Sequence, residues 1–192
     1  MKKVLLVASG LSANQYRDYD YKKKGWTVVG VNNGWMATNG EWDHWVRAGD
    51  FRGQHATPTG NQRVCYQYVK ILNQYGGPRK CGYSITVCAG YYALHTFDPD
   101  IIGFLGADMN YTPATDGSTH IYGVGRDILR NDIPDPDRMG AIHGPKMNIN
   151  TDQYITRLET MASERHGCKL YNLSTVTDTR LPYTKARPED FE

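Results

Sequence analysis

Apolar residues in this chain fall into short blocks set between polar stretches rich in glycine. The most continuous block is Ile101–Leu105, with Gly103 inside it, Gly106 closing it and Asp98-Pro99-Asp100 in front. A short apolar run bounded by turn formers reads as a strand buried on both faces, the kind found inside a parallel sheet. Lys2–Ala8 reads the same way, as does the β-branched run Trp26–Val31. Shorter blocks at Asp43–Ala48 and Cys168–Leu173 complete the strands, the second closing the sheet. Tyr83–Ala89 reads as a fourth strand or as the start of a strand–helix unit.

Between these blocks the spacing changes. Gln15 to Lys24 is polar and rich in Tyr and Lys, and reads as a short helix and connector. From Asn61, the positions Val64, Tyr68, Ile71, Leu72 and Tyr75 follow a helical period, and Gly76-Gly77-Pro78 stops it. Asn150 and Gln153 stand at capping-box spacing before a helix whose buried face is Tyr154, Ile155, Leu158, Met161 and Ala162, ended by Gly167. From Thr112 to Gly140 no apolar face is continuous, and a structureless stretch of that length inside a compact domain suggests a lid over a site. The tail from Asp178 to Glu192 is polar, carries Pro182 and Pro188, and is expected to run over the surface.

Strands alternating with helices predict an α/β fold: a Rossmann-like, mostly parallel sheet with helices on both faces and a lid insertion. The 192 residues suit a single α/β domain over 1–192, with residues 112–143 as the lid-like insertion. No run is long enough to span a bilayer, and the apolar part of the opening segment is too short for a signal peptide, so a cytoplasmic protein is expected. The four cysteines show no Cys-x-x-Cys pairing and no histidine at zinc-ligand spacing, which argues for incidental thiols rather than a metal site.

Net charge is only +2, but its distribution is uneven. No acidic residue lies between Asp50 and Asp98, while Arg52, Arg63, Lys70, Arg79 and Lys80 all do. That stretch would suit an anionic partner such as a phosphate, a nucleotide or a polynucleotide, and would equally serve as a solvated helix face.

The strand ends carry the candidate chemistry, because ligands of open α/β sheets bind outside the carboxyl ends of the strands. Those ends are Ser9-Gly10 with Ser12, Asn32-Asn33, Gly49-Asp50, Gly106-Ala-Asp108 and Asn172–Ser174, with Ser84 near another junction. Small residues let a backbone approach a phosphate, and paired amides can read a base or a ribose by donating and accepting together. The set is neither a Gly-x-Gly-x-x-Gly fingerprint nor a Walker A loop. Within the lid, which ends at His143, a histidine is suited to take a proton from a hydroxyl, and tyrosine hydroxyls are suited to donate to a departing phosphate. His44, His55, His95, His120 and His166 read as structural or surface residues.

These residues resemble the bacterial sialyltransferases of the Campylobacter type, which use CMP-sialic acid, and the related group containing archaeal 6-hydroxymethylpterin pyrophosphokinases. Lys2–Ala13 is similar to that family's opening strand and its Gly-Asn-Gly-Pro-Ser-Leu loop, and Val31-Asn32-Asn33 to its Cys-Asn-Gln strand end. Gly103–Asp108 resembles its Leu-Ser-Gly-Ile-Asp, and Ser118–Tyr122 its Ser-Ser-Tyr-Ala-Phe. His143 with Asn150-Thr-Asp152 resembles its His-Ser-Lys-Asn-Thr-Asp, and Cys168–Ser174 its final strand.

The resemblance implies a transferase that takes a nucleotide sugar donor, CMP-linked, and needs no cofactor. His143 would serve as base, and Tyr111 and Tyr122 would steady the leaving phosphate. The acceptor is unspecified, a polyanion being one candidate, and homo-oligomerisation is left open. This chain departs from the family in its Ala-Ser-Gly-Leu-Ser-Ala loop, in Asp50 where the sialyltransferases carry Asn, and in the extra residues between His143 and Asn150. The span from Asn33 to Ser84 is also shorter than the family's. Two alternatives stand beside this reading: a pterin-type pyrophosphokinase using ATP and magnesium, and a non-catalytic nucleotide or nucleic-acid binder.

Overall fold

A computed structural model describes residues 1–47, 63–64, 68–81, 84–109, 113–123, 151–179 and 181–192. Seven strands form one sheet: β1 (Lys3–Val7), β2 (Trp26–Val31), β3 (His44–Val46), β4 (Arg63–Val64), β5 (Ile101–Leu105), β6 (Lys169–Asn172) and β7 (Thr184–Lys185). Their spatial order is β4-β3-β2-β1-β5-β6-β7, and every pairing is parallel. The fold is α/β and Rossmann-like. From β1 the chain steps outward through β2, β3 and β4, then crosses back to β5 and steps outward the other way. The reversal of direction falls between β1 and β5, the switch point outside whose carboxyl ends open α/β sheets bind ligands.

Alternation along the strands divides the core in two. Val4, Leu6 and Ala8 join Val29, Val31, Ile102 and Phe104 on one face, under the α-helices. Those helices are α1 (Tyr68–Leu72), α2 (Pro78–Cys81), α3 (Ile85–Phe97) and α4 (Thr151–His166). On the other face Leu5, Val7, Val28, Ile101 and Leu105 pack with Tyr16, Tyr21, Trp26, Trp42, Trp45 and Phe191. That layer is built of 3-10 helix, at Leu11–Asp18, Asn32–Thr38 and Pro188–Phe191. Ser, Asn, Asp and Gly in the first two segments are poor α-helix formers, which suits the tighter winding. Both faces of the sheet are therefore covered by helical layers, of two different kinds.

Three expectations from the sequence need correction. Ile85–Ala89, expected as part of a fourth strand or of the start of a strand–helix unit, is helical: it begins α3, with Ser84 at its N-cap and Asp98 at its C-cap in the left-handed region at φ 46°. Val87 to Leu94 are all buried, so this helix has no polar face to betray its period. The fourth strand lies upstream instead, at Arg63–Val64, within the stretch expected to be helical from Asn61, ahead of α1 at Tyr68–Leu72. The tail does not merely cross the surface. Thr184 and Lys185 add an edge strand to β6, and Leu181, Tyr183 and Phe191 are buried.

Candidate functional site

The carboxyl tips of β2, β1, β5 and β6 lie side by side at one edge of the sheet. At its centre the loop after β1 is tied to the chain after β5. Gly10 N–H donates to the Gly106 carbonyl at 2.7 Å, and Ser12 N–H donates to Asp108 Oδ2 at 3.0 Å. The Ser12 hydroxyl donates to Asp108 Oδ1 and accepts from Gly106 N–H at 2.9 Å. Ser12 is 1% exposed and Asp108 6%, so these bonds are shielded from water. The two residues predicted to face a nucleotide are thus engaged first with each other.

The glycines here serve close chain contact. A Cβ at Gly10 would lie 2.6 Å from both Asp108 Oδ2 and the Gly106 carbonyl. Gly106 has φ +72°, and a Cβ there would collide with the Ala8 carbonyl. Gly34, in the turn after β2, packs so tightly on the Val7 carbonyl that no side chain fits. The β2 tip is thereby pressed against the β1 tip.

Asn32 and Asn33 open that turn. Asn32 adopts φ 49°, and its carbonyl accepts from Trp45 Nε1 at 2.6 Å. Asn33 is 2% exposed, and its Nδ2 has no hydrogen-bond partner among the described residues. A buried donor left unpaired costs about 1–3 kcal/mol, so an acceptor supplied by a ligand or a water would be stabilising there.

On the far side of β5, Asn172 at the end of β6 accepts from Ser174 N–H at 3.0 Å, and the Thr179 hydroxyl donates to the Asp108 carbonyl at 3.1 Å. Lys185 Nζ donates to the carbonyls of Ser174 and Val176. Its pKa is lowered by partial burial and drawn back up by the charge of Asp108. Nothing in the sequence set Lys185 apart, because the tail was expected to lie on the surface.

Ser84, half-buried, begins α3 and makes no side-chain cap bond to it. A helix of thirteen residues spans about 20 Å. Since α3 leads to the start of β5, its N-terminus falls toward the carboxyl edge, the side of the sheet where Ser9 and Asn33 lie.

The segment Pro113–Gly123 returns to the tip of β1. His120 forms an antiparallel bridge with Gly10, and Ile121 N–H donates to the Ser9 carbonyl at 3.0 Å. Tyr122 stacks on His120 with centroids 4.9 Å apart and planes 22° from parallel. His120, read from sequence as structural, therefore stands at the site; the signal that could have found it is its place two residues before Tyr122 in the same lid segment. His143, Tyr111 and Asp50 lie outside the described residues, as do most of the lid (124–143) and the side chains of Arg52, Arg63 and Arg79. Lys70 and Lys80, the described cations of the acid-free stretch, are exposed on α1 and α2.

Among the described residues no helix is long and apolar enough to cross a membrane. Compared with protein-family models, with curated proteins and with solved structures, the chain matches none.

Proposed function

We propose that this protein is a glycosyltransferase-like enzyme that takes a CMP-linked sugar at the carboxyl edge of its sheet. The observation that carries the reading is the gathering of polar strand tips at one edge of the sheet: Ser9-Gly10, Asn32-Asn33, Gly106–Asp108 and Asn172–Ser174, around the point where strand order reverses. The orphan amide of Asn33 adds a donor in want of an acceptor, such as a base carbonyl or a ribose oxygen.

In this reading His143 takes the proton from an acceptor hydroxyl, and that oxygen attacks the anomeric carbon of the sugar. The bond from that carbon to the phosphate oxygen breaks, and CMP leaves with the bonding pair. Tyr111 and Tyr122 donate to the departing phosphate, stabilising charge as it develops. No cofactor takes part. The acid-free stretch with exposed Lys70 and Lys80 would favour an anionic acceptor.

The test is a thermal-shift panel of CMP, CDP, UDP, GDP and ATP, each with magnesium and with a chelator. CMP should stabilise the protein equally in both conditions, by about 2.7 kcal/mol at a hundredfold excess over its dissociation constant. Stabilisation by ATP alone that vanishes with the chelator would replace this reading with the pyrophosphokinase one. Steeply salt-dependent binding of a polynucleotide, with no nucleotide response, would replace it with a non-catalytic binder.

A further inference from the structure

The backbone that a phosphate would be expected to use at the β1 tip is already occupied. Ala8 N–H donates to the Leu105 carbonyl, Gly10 to Gly106, Ser12 to Asp108 and Ala13 to Gly10. The Ser12 hydroxyl is committed to Asp108, and the space beside Gly10 is filled by Asp108 Oδ2 and the Gly106 carbonyl. An anion at this edge would meet a carboxylate and few free amides. It needs a positive charge from a neighbouring strand tip.

Lys185 supplies one. It pairs with Asn172, the last residue of β6, and its side chain reaches past that strand end to the loop beyond. There Nζ donates to the carbonyls of Ser174 and Val176. The loop is itself tied to the switch point: Thr175 exchanges two hydrogen bonds with the Gln15 amide, in the segment after β1, and the Thr179 hydroxyl donates to the Asp108 carbonyl. An ammonium has three N–H groups, and these carbonyls take two. Among the described residues no carboxylate forms an ion pair with Lys185, whereas Lys22 and Lys24 are paired with Asp43 and Glu192. Burial lowers the Lys185 pKa and the charge of Asp108 draws it back up, yet both Asp108 oxygens are bonded by Ser12. A lysine already held by two carbonyls also loses less rotamer freedom on gripping a ligand than a loose one does.

We propose that Lys185, anchored on the Ser174 and Val176 carbonyls, holds the phosphate of the bound nucleotide by donating its third Nζ–H to a non-bridging oxygen. The ligand then brings the counter-ion that the chain withholds from this ammonium. A lysine acts on phosphate as a point charge, so the contact demands nearness rather than a fixed fork geometry. The role rests on the nucleotide reading above and adds to it the residue that holds the anion, on the β6 side of the switch point.

The experiment is NMR of the full chain labelled with 13C-lysine, titrated with CMP and with cytidine, beside calorimetry of both ligands on wild type and Lys185→Met, which keeps the apolar stem. CMP should move the Lys185 Cε signal and cytidine should not. In K185M the affinity for CMP should fall about tenfold, the loss of one charge-assisted hydrogen bond, while that for cytidine stays the same. Equal losses for the two ligands would mark Lys185 as a support of the 174–176 loop and overturn the proposal. Should CMP bind wild type without moving the Lys185 signal, Lys185 is no phosphate contact and the nucleotide reading survives; that result is independent of how K185M folds. Absence of binding by both CMP and cytidine would overturn the two together.

Discussion

Ser12 answers both oxygens of Asp108, its amide N–H bonding Oδ2 and its hydroxyl bonding Oδ1 across 96 residues of chain. Because the same hydroxyl accepts from Gly106 N–H, one side chain closes the tips of β1 and β5 together. Replacing Ser12 with Ala leaves a buried carboxylate oxygen and a buried amide without partners. Each such orphan costs about 1–3 kcal/mol, so S12A should lower stability in urea unfolding by roughly 2–4 kcal/mol. Asp108→Ala orphans the Ser12 N–H and should cost a similar amount. The double variant should fall short of the sum by about 0.5–3 kcal/mol, the mark of a direct pair. Additive losses would mean that the two side chains act separately.

Glycine substitutions separate collision from backbone strain. Gly34→Ala places a methyl on the Val7 carbonyl, which lies inside the sheet and cannot retreat. Gly106→Ala combines a collision at the Ala8 carbonyl with φ +72°. Gly25 has a similar φ of +78° but open space around it. Gly25→Ala should therefore cost about 1–2 kcal/mol from conformation alone. G34A and G106A should each cost about 3–5 kcal/mol or fail to fold. Equal melting temperatures for the three variants would show that the tips are looser than their packing implies.

What the sequence made legible follows from where the information lies. Ile101–Leu105 and Trp26–Val31 could be read as strands because burial on both faces leaves an unbroken apolar run. The polar tips could be read because Gly, Ser, Asn and Asp follow those runs directly. The bond from Ser12 to Asp108 could not, since nothing local says that a serine after the first strand will meet an aspartate after the fifth. His120 was set aside for the same reason: its place beside Gly10 comes from a single bridge between distant segments. Helix α3 was misread because burial of its successive residues from Val87 to Leu94 erased the amphipathic period. The two-residue strands at Arg63–Val64 and Thr184–Lys185 are too short to carry a period at all.

Cys81, Cys88 and Cys168 should be inert in the native protein. Each is buried, and burial pushes their thiols up to about 11, 12 and 12. At pH 8 a group with a pKa near 11 is ionised in about one molecule in a thousand, and the thiolate is the reactive form. A thiol-reactive disulfide reagent should label these three only on the timescale of unfolding, with labelling accelerated by urea. Rapid native labelling of any of them, identified by peptide mass, would contradict the packing around it.

The C-terminal turn is held by two kinds of force, and acid should weaken only one. Glu192 accepts from Lys24 Nζ at 2.8 Å and from the Tyr19 hydroxyl at 3.0 Å, and these bonds keep its carboxyl below the ordinary range, the one from Lys24 most. Asp190 is lowered likewise, chiefly by the Arg187 N–H at 2.8 Å. A depressed carboxyl pKa contributes stability above the unfolded value, about 4 for these residue types, and loses it as pH falls through the folded value. The turn should therefore be unchanged between pH 8 and 5 and loosen below about pH 4. Because these charges are exposed, the loss should be small and should also appear in high salt at neutral pH. Phe191 is the stronger anchor: it is 9% exposed, lies 5.9 Å from the Trp26 ring and 4.8 Å from Tyr171, and its burial contributes about 1.5–3 kcal/mol. Amide exchange of Thr184–Glu192 should thus rise modestly at pH 3 and sharply in Phe191→Ala at pH 7. Exchange that rises more with acid than with F191A would reverse this ranking and make the ion pairs the principal tether.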